Sequence, residues 1–463
     1  MIFNFYVVPY QDVDFIDAVF GFGDTIGKIE SWQLLVHVCR RWRGLVFESP
    51  RRLNLRLYCT PGASASQTSQ SLDVWPALPL LINGDVFDES VDNVIAELKH
   101  SDRISQISLA CHTSSQFEKL WTAMQVPFPN LASLYLYPSF GESSSVPVLP
   151  DSFLGGSAPR LQFLSLTSIP FPGLPKFLLT ATHFVQLHLV NIPHSGYISP
   201  DAMATCLSSL TSLGVLELAF ESSQSSPDQE SRRSPSPTCF VLPALTIFLY
   251  KGVNEYFEEL VAYIDTPRLY QFSATFFNDI DFDTPELTRL VSHSSYFQAT
   301  NETHVVFDNQ NAMVKLQSEA SNEEYFQINV SCREPDWQLS ALAQICAASL
   351  PLLSTMDRLF IYEPSYLDLD WKDDIENNEW WDLLLPFTAV KDLYVSKQFA
   401  PRVAPVLQEI TEVGAIELLS SLQNLYLEGF RPSESVEEGI RRFISARQLT
   451  NRPVAISVWD RID

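Results

Sequence analysis

The sequence has 463 residues, 46% of them hydrophobic, a formal net charge of -25 and a pI near 4.6. A chain of this length and apolar content can bury a large core, either in about three domains or in one elongated solenoid. Its acidity argues against general attraction to nucleic acid or to anionic lipid, so neither is expected as a partner.

The first predicted element is a basic helix over residues 31–47, SWQLLVHVCRRWRGLVF. Residues 31–60 contain six arginines and one acidic residue, which gives this segment a charge of +5. A nucleic-acid site would need interleaved aromatic platforms or a longer basic stripe, and neither is present. The helix is therefore either an arginine-rich cap with Trp42 in the core, or a docking element for a protein partner.

A short phrase of the form L-x-x-L-x-L recurs along the rest of the chain. Its alternation predicts a strand with one buried face at each copy. The copies are LASLYLY from Leu131, LQFLSLT from Leu161, FVQLHLV from Phe184, LGVLELA from Leu213, LTIFLYK from Leu245, MDRLFIY from Met356, VKDLYVS from Val390 and LQNLYLE from Leu422, with looser copies at 104–109, 269–272 and 326–330.

The segments between these strands have the spacing of amphipathic helices. Ser199 and Pro200 are a capping serine and a proline at the first helical position. The predicted helices are VDNVIAEL from Val91, DAMATCLSSL from Asp201, VNEYFEELVAYI from Val253, TPELTRLVSH from Thr284 and WQLSALAQICAASL from Trp337. Strand, connection and helix repeated with one handedness build a parallel sheet lined by helices.

The predicted fold class is therefore α/β, an irregular leucine-rich-repeat-like solenoid with a curved parallel sheet over residues 51–463. An ordinary multidomain α/β protein is the alternative. The asparagine or cysteine typical of such repeats is mostly absent, since Ser139, Ile169 and Glu221 stand in its place. Ser-, Gly- and Pro-rich composition predicts flexible loops near 60–71, 139–150 and 221–238.

The phrase VCRRWRGLVFESPRRLNL, with the preceding LL, resembles the second half of an F-box. Together with VPFPNLASLYL, LPDSFLGGSAPRLQFLSL and LQNLYLEGFRP, it resembles the F-box and leucine-rich-repeat-like proteins of basidiomycete fungi. The resemblance implies that a small, partial helical F-box at 1–50 precedes the solenoid. It also implies docking on a Skp-family adaptor, as the substrate receptor of a Skp–cullin–F-box ubiquitin ligase.

Within that resemblance, MIFNFYV is similar to the end of the first F-box helix, and the Leu-Pro opening of the motif is absent. The motif is thus expected to be truncated at its N-terminal side. The residues implied in adaptor binding or in the F-box core are Phe3, Phe5, Leu35, Val38, Cys39, Trp42 and Leu45.

No enzyme signature was found: the sequence lacks a phosphate loop, a GxGxxG turn, a GxSxG elbow and an HExxH helix. The acidic stretch LDLDWKDDIENNEWWDLL from Leu367 lacks the turn glycine that a calcium loop needs, so it predicts a loop leading into a helix anchored by Trp380 and Trp381. We expect no enzyme activity, no cofactor and no metal.

A protein substrate of unknown identity is the expected ligand of the solenoid. Period two turns the residue between the last two apolar positions of each phrase away from the core. The candidates for target contact are Tyr135, Ser165, His188, Glu217 and Tyr426. A stand-alone binding scaffold with a degenerate F-box remains the alternative function. Seven scattered cysteines and the absence of a signal peptide or membrane span favour the cytoplasm or nucleus.

Overall fold

The structure is a computed structural model. It describes residues 38–47, 55–59, 78–139, 146–223, 239–277, 284–318, 321–332, 335–364, 377–412, 418–429, 434–449 and 451–460. The chain divides into two compact units, with unit 1 ending at Tyr197 and unit 2 beginning at Ile198. Among the helices described, none has both the length and the apolar character needed to cross a bilayer.

Unit 1 is a parallel sheet with helices in its connections. Its strands pair in chain order, all in parallel. The strands are β1 (Leu55–Cys59), β2 (Leu80–Val86), β3 (Ile104–Cys111), β4 (Ser133–Pro138), β5 (Phe163–Thr167) and β6 (Gln186–Ile192). The helices are α1 (Arg40–Phe47), α2 (Val91–Leu98), α3 (Ser114–Ala123) and α4 (Leu174–Leu178).

Unit 2 contains a larger, mostly parallel sheet in the order β7-β9-β11-β14-β13-β12-β15-β16-β17-β18, and a small pair β8/β10. The strands are β7 (Val215–Phe220), β8 (Phe240–Val241), β9 (Ile247–Gly252), β10 (Ile264–Asp265), β11 (Gln271–Phe277), β12 (Glu302–Phe307), β13 (Asn311–Ser318), β14 (Ser321–Ser331), β15 (Arg358–Tyr362), β16 (Asp392–Val395), β17 (Asn424–Glu428) and β18 (Ala455–Trp459). The helices are α5 (Pro200–Leu207), α6 (Asn254–Val261), α7 (Pro285–His293), α8 (Ser295–Gln298), α9 (Pro335–Ser349), α10 (Asn377–Leu384), α11 (Ala400–Glu412) and α12 (Glu434–Leu449).

The repeated phrase does form the strands, and its leucines form the core. In unit 1, Leu134, Leu164 and Leu187 lie side by side in register and are fully buried. All eight predicted copies of the phrase fall on strands, and the helices predicted from Val91, Asp201, Val253, Thr284 and Trp337 are present. The α/β class is thus confirmed in both units, and the parallel pairing holds throughout unit 1 and for most of the sheet in unit 2.

The parallel sheet is interrupted by an antiparallel meander, which the sequence analysis missed. β12 pairs with β13, and β13 with β14, in antiparallel fashion. Three residues join β12 to β13, and the Asp308 carboxylate holds that turn by accepting the backbone N–H groups of Gln310 and Asn311 at 2.7 and 2.6 Å. A connection this short cannot cross over to a parallel strand, so the sheet must reverse direction.

Helix α10 is anchored as predicted. Trp380 is 1% exposed, and its ring lies 5.9 Å from Phe307 and 5.6 Å from Phe399, while Trp381 is half-buried. The acidic residues 367–376 that precede the helix lie outside the described residues, as do the loop at 60–71, residues 140–145 of the second loop and residues 224–238 of the third.

A carboxylate of one helix caps the next helix in unit 2. Glu258 of α6 accepts hydrogen bonds from the backbone N–H groups of Glu286 and Leu287, at 2.8 and 3.0 Å. These groups belong to the first turn of α7, where N–H groups have no partner inside the helix and the helix dipole favours negative charge. Glu258 therefore fixes α7 against α6.

We expect Glu258→Ala to lower the free energy of unfolding by about 1–2 kcal/mol, because it removes a charged cap from two N–H groups. Urea unfolding of the full chain measures this change. Glu259→Ala, one residue along on the exposed side of α6, is the matched control and should leave the midpoint unchanged. Equal midpoints for both variants would contradict the capping role.

Candidate functional site

The two faces of the unit 2 sheet differ in what covers them. The rings of Phe257 in α6 and Trp380 in α10 pack on strand residues such as Phe248 and Phe307. Leu425 faces α11 and α12 in the same way. These strand residues all point to one side of the sheet, the helix face. The alternate strand residues point to the other side, which we call the open face.

Four rings form a continuous stack on the open face, and we call them the aromatic row. They belong to four successive strands and are exact neighbours in the parallel register: His304, Phe360, Tyr394 and Tyr426. The ring centroids are 4.4, 4.2 and 4.3 Å apart, with planes inclined by 4°, 12° and 5°. Each side chain is half-buried, and the ring faces inside the row are stacked on their neighbours.

Trp459 of β18 reaches over the aromatic row. Its ring lies 5.6 Å from Tyr394 at 70° and 6.0 Å from Phe360 at 58°. It also meets Tyr362 edge-on at 6.3 Å. Edge-to-face contact suits the opposite charge of ring edge and ring face. The indole therefore forms one wall beside the stacked rings.

A second line of side chains runs parallel to the aromatic row, two residues earlier on each strand, and we call it the polar row. Its members Glu302, Arg358, Asp392 and Asn424 are also register neighbours. Arg358 donates to Glu302 at 2.7 Å and lies 3.7 Å from Asp392. The Asn424 amide donates to Asp392 at 2.7 Å. Charges alternate along the row, which keeps it fixed without a large net charge.

The carboxylate of Glu302 has a pKa below its ordinary value of 4.5. Interaction with the neighbouring His304 imidazole is the main cause, and the Arg358 guanidinium adds to it against the effect of burial. His304 Nε2 is 3.9 Å from Glu302 Oε2, beyond ordinary hydrogen-bond length. Glu302 is thus held ionised at the end of the polar row, two residues before His304 on the same strand.

This pKa shift predicts a pH-dependent contribution to stability. A carboxylate with a lowered folded-state pKa stabilises the folded protein fully above its ordinary pKa, and the effect is lost as the pH falls through the folded-state value. Glu302→Gln should therefore be less stable than wild type at neutral pH, and the two should converge below pH 4.5. Urea midpoints across an acidic pH series measure the gap. A gap independent of pH would contradict the assignment.

Tyr394 remains a hydrogen-bonding phenol at physiological pH. Burial, the adjacent Tyr426 and the Asp392 carboxylate raise its pKa to about 12. Its hydroxyl therefore keeps its proton beside the edge of the stack. The aromatic row combines apolar ring edges with hydroxyl groups, a composition found at the centres of protein interfaces.

Two of the predicted target-contact residues lie on this open face. Tyr426 is a member of the aromatic row. Glu217 occupies the same register line on β7, beside Leu249, and both residues are half-buried. Eight strand spacings separate them, roughly 40 Å along the sheet. Glu217 and Tyr426 therefore share a face without forming a single site.

The other three predicted residues form an in-register line in unit 1, in the order Tyr135, Ser165, His188, on the side opposite the core leucines. Tyr135 is half-buried, but Ser165 and His188 are only 7% and 3% exposed. Both side chains turn away from the core leucines as expected, but at this degree of burial they offer little accessible surface, and their role in target contact stays a prediction. Ser165 is a small side chain between two larger neighbours, and Gln186 lies 3.4 Å from the His188 ring.

Unit 1 also contains a polar cluster that the sequence analysis did not find. His112 Nε2 lies 3.3 Å from Asp85, and the imidazole stacks on Phe87 at 4.6 Å. Burial, with the nearby Asp85 and Cys111, raises the pKa of Tyr137 to about 12. No group of three or more metal-ligating side chains occurs among the residues described.

The N-terminal F-box-like residues are described only in part. Val38 is 62% exposed, Cys39 is exposed and Trp42 is half-buried. Their roles in adaptor binding or in an F-box core stay a prediction. Leu45 lies within α1. Phe3, Phe5 and Leu35 lie outside the described residues.

Sequence reasoning named Tyr426 but missed His304, Phe360, Tyr394 and Trp459. Part of the signal was present, because MDRLFIY, VKDLYVS and LQNLYLE share a polar residue, a leucine, an aromatic residue and an aliphatic residue in sequence. Aligning these three copies places Phe360 and Tyr394 beside Tyr426. His304 and Trp459 belong to strands without the phrase, so only the observed pairing brings them to the row.

Comparison with known proteins gives little further information. No protein-family model matches the sequence, and no curated protein matches it. A similar solved structure is that of the leucine-rich repeat-containing protein LegL7 from Legionella pneumophila. It has 12% sequence identity and a TM-score of 0.29, and the match covers 84% of this chain and 97% of that chain. A likeness this low does not bear on function.

Proposed function

We propose that this protein is a non-catalytic scaffold that binds another protein on the open face of unit 2. The observation that carries the proposal is the aromatic row, held in register beside a fixed polar row. Aromatic residues, tyrosine among them, supply much of the binding energy at protein interfaces. The rows are built on strands, so their geometry is set before a partner arrives, which lowers the entropy cost of binding.

The shape of the row favours a protein partner over a flat ring ligand. The faces of Phe360 and Tyr394 are already stacked on their neighbours, so a ligand meets edges and hydroxyls. The four strands of the row span roughly 14 Å. A peptide or a protein surface can contact all four strands at once, with Trp459 as a side wall.

The second part of the proposal is that the N-terminal segment delivers the bound protein to a Skp–cullin–F-box ubiquitin ligase, through a Skp-family adaptor. Support comes from the resemblance of VCRRWRGLVF to an F-box and from the exposure of Val38 and Cys39 beside three exposed arginines in α1. A cationic helix suits an acidic adaptor and raises the association rate. A stand-alone scaffold that recruits no ligase is the competing function.

Co-expression of the full chain with a Skp-family adaptor tests this part. Co-purification would support the ligase part, and Trp42→Ala and Arg41→Glu should then retain less adaptor than wild type, since these changes alter the ring and the charge of α1. Ser199→Ala, in unit 2, is a control that should not affect retention. Failure of the wild-type chain to retain the adaptor, with the protein folded, would favour the stand-alone scaffold.

A separate experiment tests the open face. Proteins that crosslink to the wild-type chain in cells are compared by quantitative mass spectrometry with those that crosslink to a Phe360→Ala, Tyr394→Ala variant. Proteins lost from the variant, yet retained by an Arg160→Ala surface control, are the partners of the aromatic row. Identical protein sets for all three chains would overturn the proposed binding face, whatever the adaptor result.

A further inference from the structure

The last strand of the unit 2 sheet has one edge without a partner among the residues described. β18 pairs in parallel with β17 on one side, and it stands at the end of the strand order. An unpaired edge presents a row of backbone N–H and C=O groups that another strand can satisfy. This edge is therefore a candidate surface for pairing with a further strand.

The direction of the backbone groups follows from one hydrogen bond. The N–H of Ala455 donates to the carbonyl of Gln423 in the connection to β17, at 2.8 Å. Residues along a strand alternate in the side to which they direct these groups. Ser457 and Trp459 thus face β17, while Ile456 and Val458 direct their N–H and C=O groups to the outer edge.

The same two residues expose apolar side chains. Ile456 is 39% exposed and Val458 is 59% exposed on the helix face. Val454, the next residue on that side, is buried. Edge strands of isolated proteins usually carry charged residues or bulges that prevent pairing. The strand AISVW carries neither a charge nor a bulge in its pairing with β17.

We propose that β18 pairs with β18 of a second copy of this chain, antiparallel and about a two-fold axis at Ile456. This register sets Val454 opposite Val458 of the partner subunit. Both residues direct their backbone N–H and C=O groups to the outer edge. The register also sets Arg452 opposite Asp460 of the partner subunit. Among the residues that direct their backbone groups outward, each apolar residue then meets an apolar residue, and Arg452 meets Asp460 of the partner subunit.

Charge complementarity selects both the occupant and the register. Arg452 and Asp460 are both exposed, and two-fold symmetry brings two such pairs to the ends of the seam. A register centred on Ser457 would instead set the apolar Val454 opposite the charged Asp460 of the partner subunit. Pro453 is compatible with the pairing. It has no backbone N–H, but at this position an N–H would point to β17 and not to the outer edge. The two sheets would then be continuous across the dimer.

Sedimentation equilibrium of the full chain tests the proposal. Pairing of two five-residue strands is smaller than a standard interface, so we expect a dissociation constant on the order of micromolar. Arg452→Asp and Asp460→Arg should each weaken the dimer about tenfold, because they set like charges opposite each other. The double variant restores the opposite pairs, and we expect it to restore the dimer.

A second variant tests the backbone contact itself. Val458→Pro removes an N–H that points to the outer edge and keeps the pairing with β17, so it should abolish the dimer while the fold is retained. Val458→Thr keeps that N–H and should remain dimeric. The proposal is overturned if wild type stays monomeric at high micromolar concentration, or if the charge swaps act independently in the double variant. A monomer whose edge binds an unrelated extended peptide would also overturn self-pairing.

Discussion

Phe257→Ala is expected to destabilise unit 2 by about 3–5 kcal/mol, the usual cost of removing a large aromatic side chain from a closed core. The Phe257 ring is fully buried. Its centroid lies 5.2 to 6.1 Å from those of Phe248, Tyr250, Phe272 and Phe276. Strand β9, helix α6 and strand β11 thus meet at one side chain, and none of these neighbours can move into the vacated volume without losing its own contacts.

Hydrogen exchange with mass spectrometry, combined with urea unfolding, measures this effect. We expect faster exchange in peptides from α6, β9 and β11, and a lower unfolding midpoint. Phe257→Leu retains most of the volume and should lose less than half as much stability. A Phe257→Ala protein with the exchange rates of wild type would show that the aromatic cluster does not hold these elements together.

Tyr394→Ala is expected to weaken binding of the open-face partner by about 2 kcal/mol or more, equivalent to roughly 30-fold in affinity. Tyr394 has three ring neighbours, since it stacks on Phe360 and Tyr426 and contacts Trp459 at 70°. Its removal separates the stack into two parts and opens a gap at the centre of the surface.

Titration calorimetry with a partner identified by the crosslinking comparison gives the affinity. Tyr394→Phe keeps the stack and removes only the hydroxyl, so it separates the two contributions. We expect it to retain most of the affinity if ring edges dominate. Unchanged affinity of Tyr394→Ala, with the sheet shown to be folded by hydrogen exchange, would place the binding surface elsewhere.

The repeat strands could be predicted because the alternation of apolar residues within each copy of the phrase shows which face of that strand is buried. Leu134, Leu164 and Leu187 carry the same information independently, so an error at one would not affect the others. The meander could not be predicted in this way. β12 and β13 alternate between apolar and polar residues without the leucine phrase, and their direction depends on a three-residue turn at Asp308.

The candidate site was predictable only in fragments, for a related reason. Period two shows that Tyr426 points away from the core, but it does not show which residue lies beside it on the next strand. His304 reaches the aromatic row through β12, which enters the sheet out of chain order. The burial of Ser165 and His188 could not be predicted from the sequence either, because it depends on the size of neighbouring side chains in other strands.

The out-of-order meander also constrains how unit 2 reaches its folded state. Most parallel strands here can be added one at a time, each beside the strand made before it, which keeps the required loop closures short. At the meander, strands cannot be added in chain order, because β11 pairs with β14 rather than with β12. The chain must finish two hairpin turns before β11 acquires its neighbour, and β12, made first of the three, then becomes the template for β15. During synthesis, a chain that has emerged only as far as β13 has a growing edge with no strand to pair with it. We therefore expect the segment from β12 to β14 to fold as one step, and its completion to decide when the aromatic row can assemble.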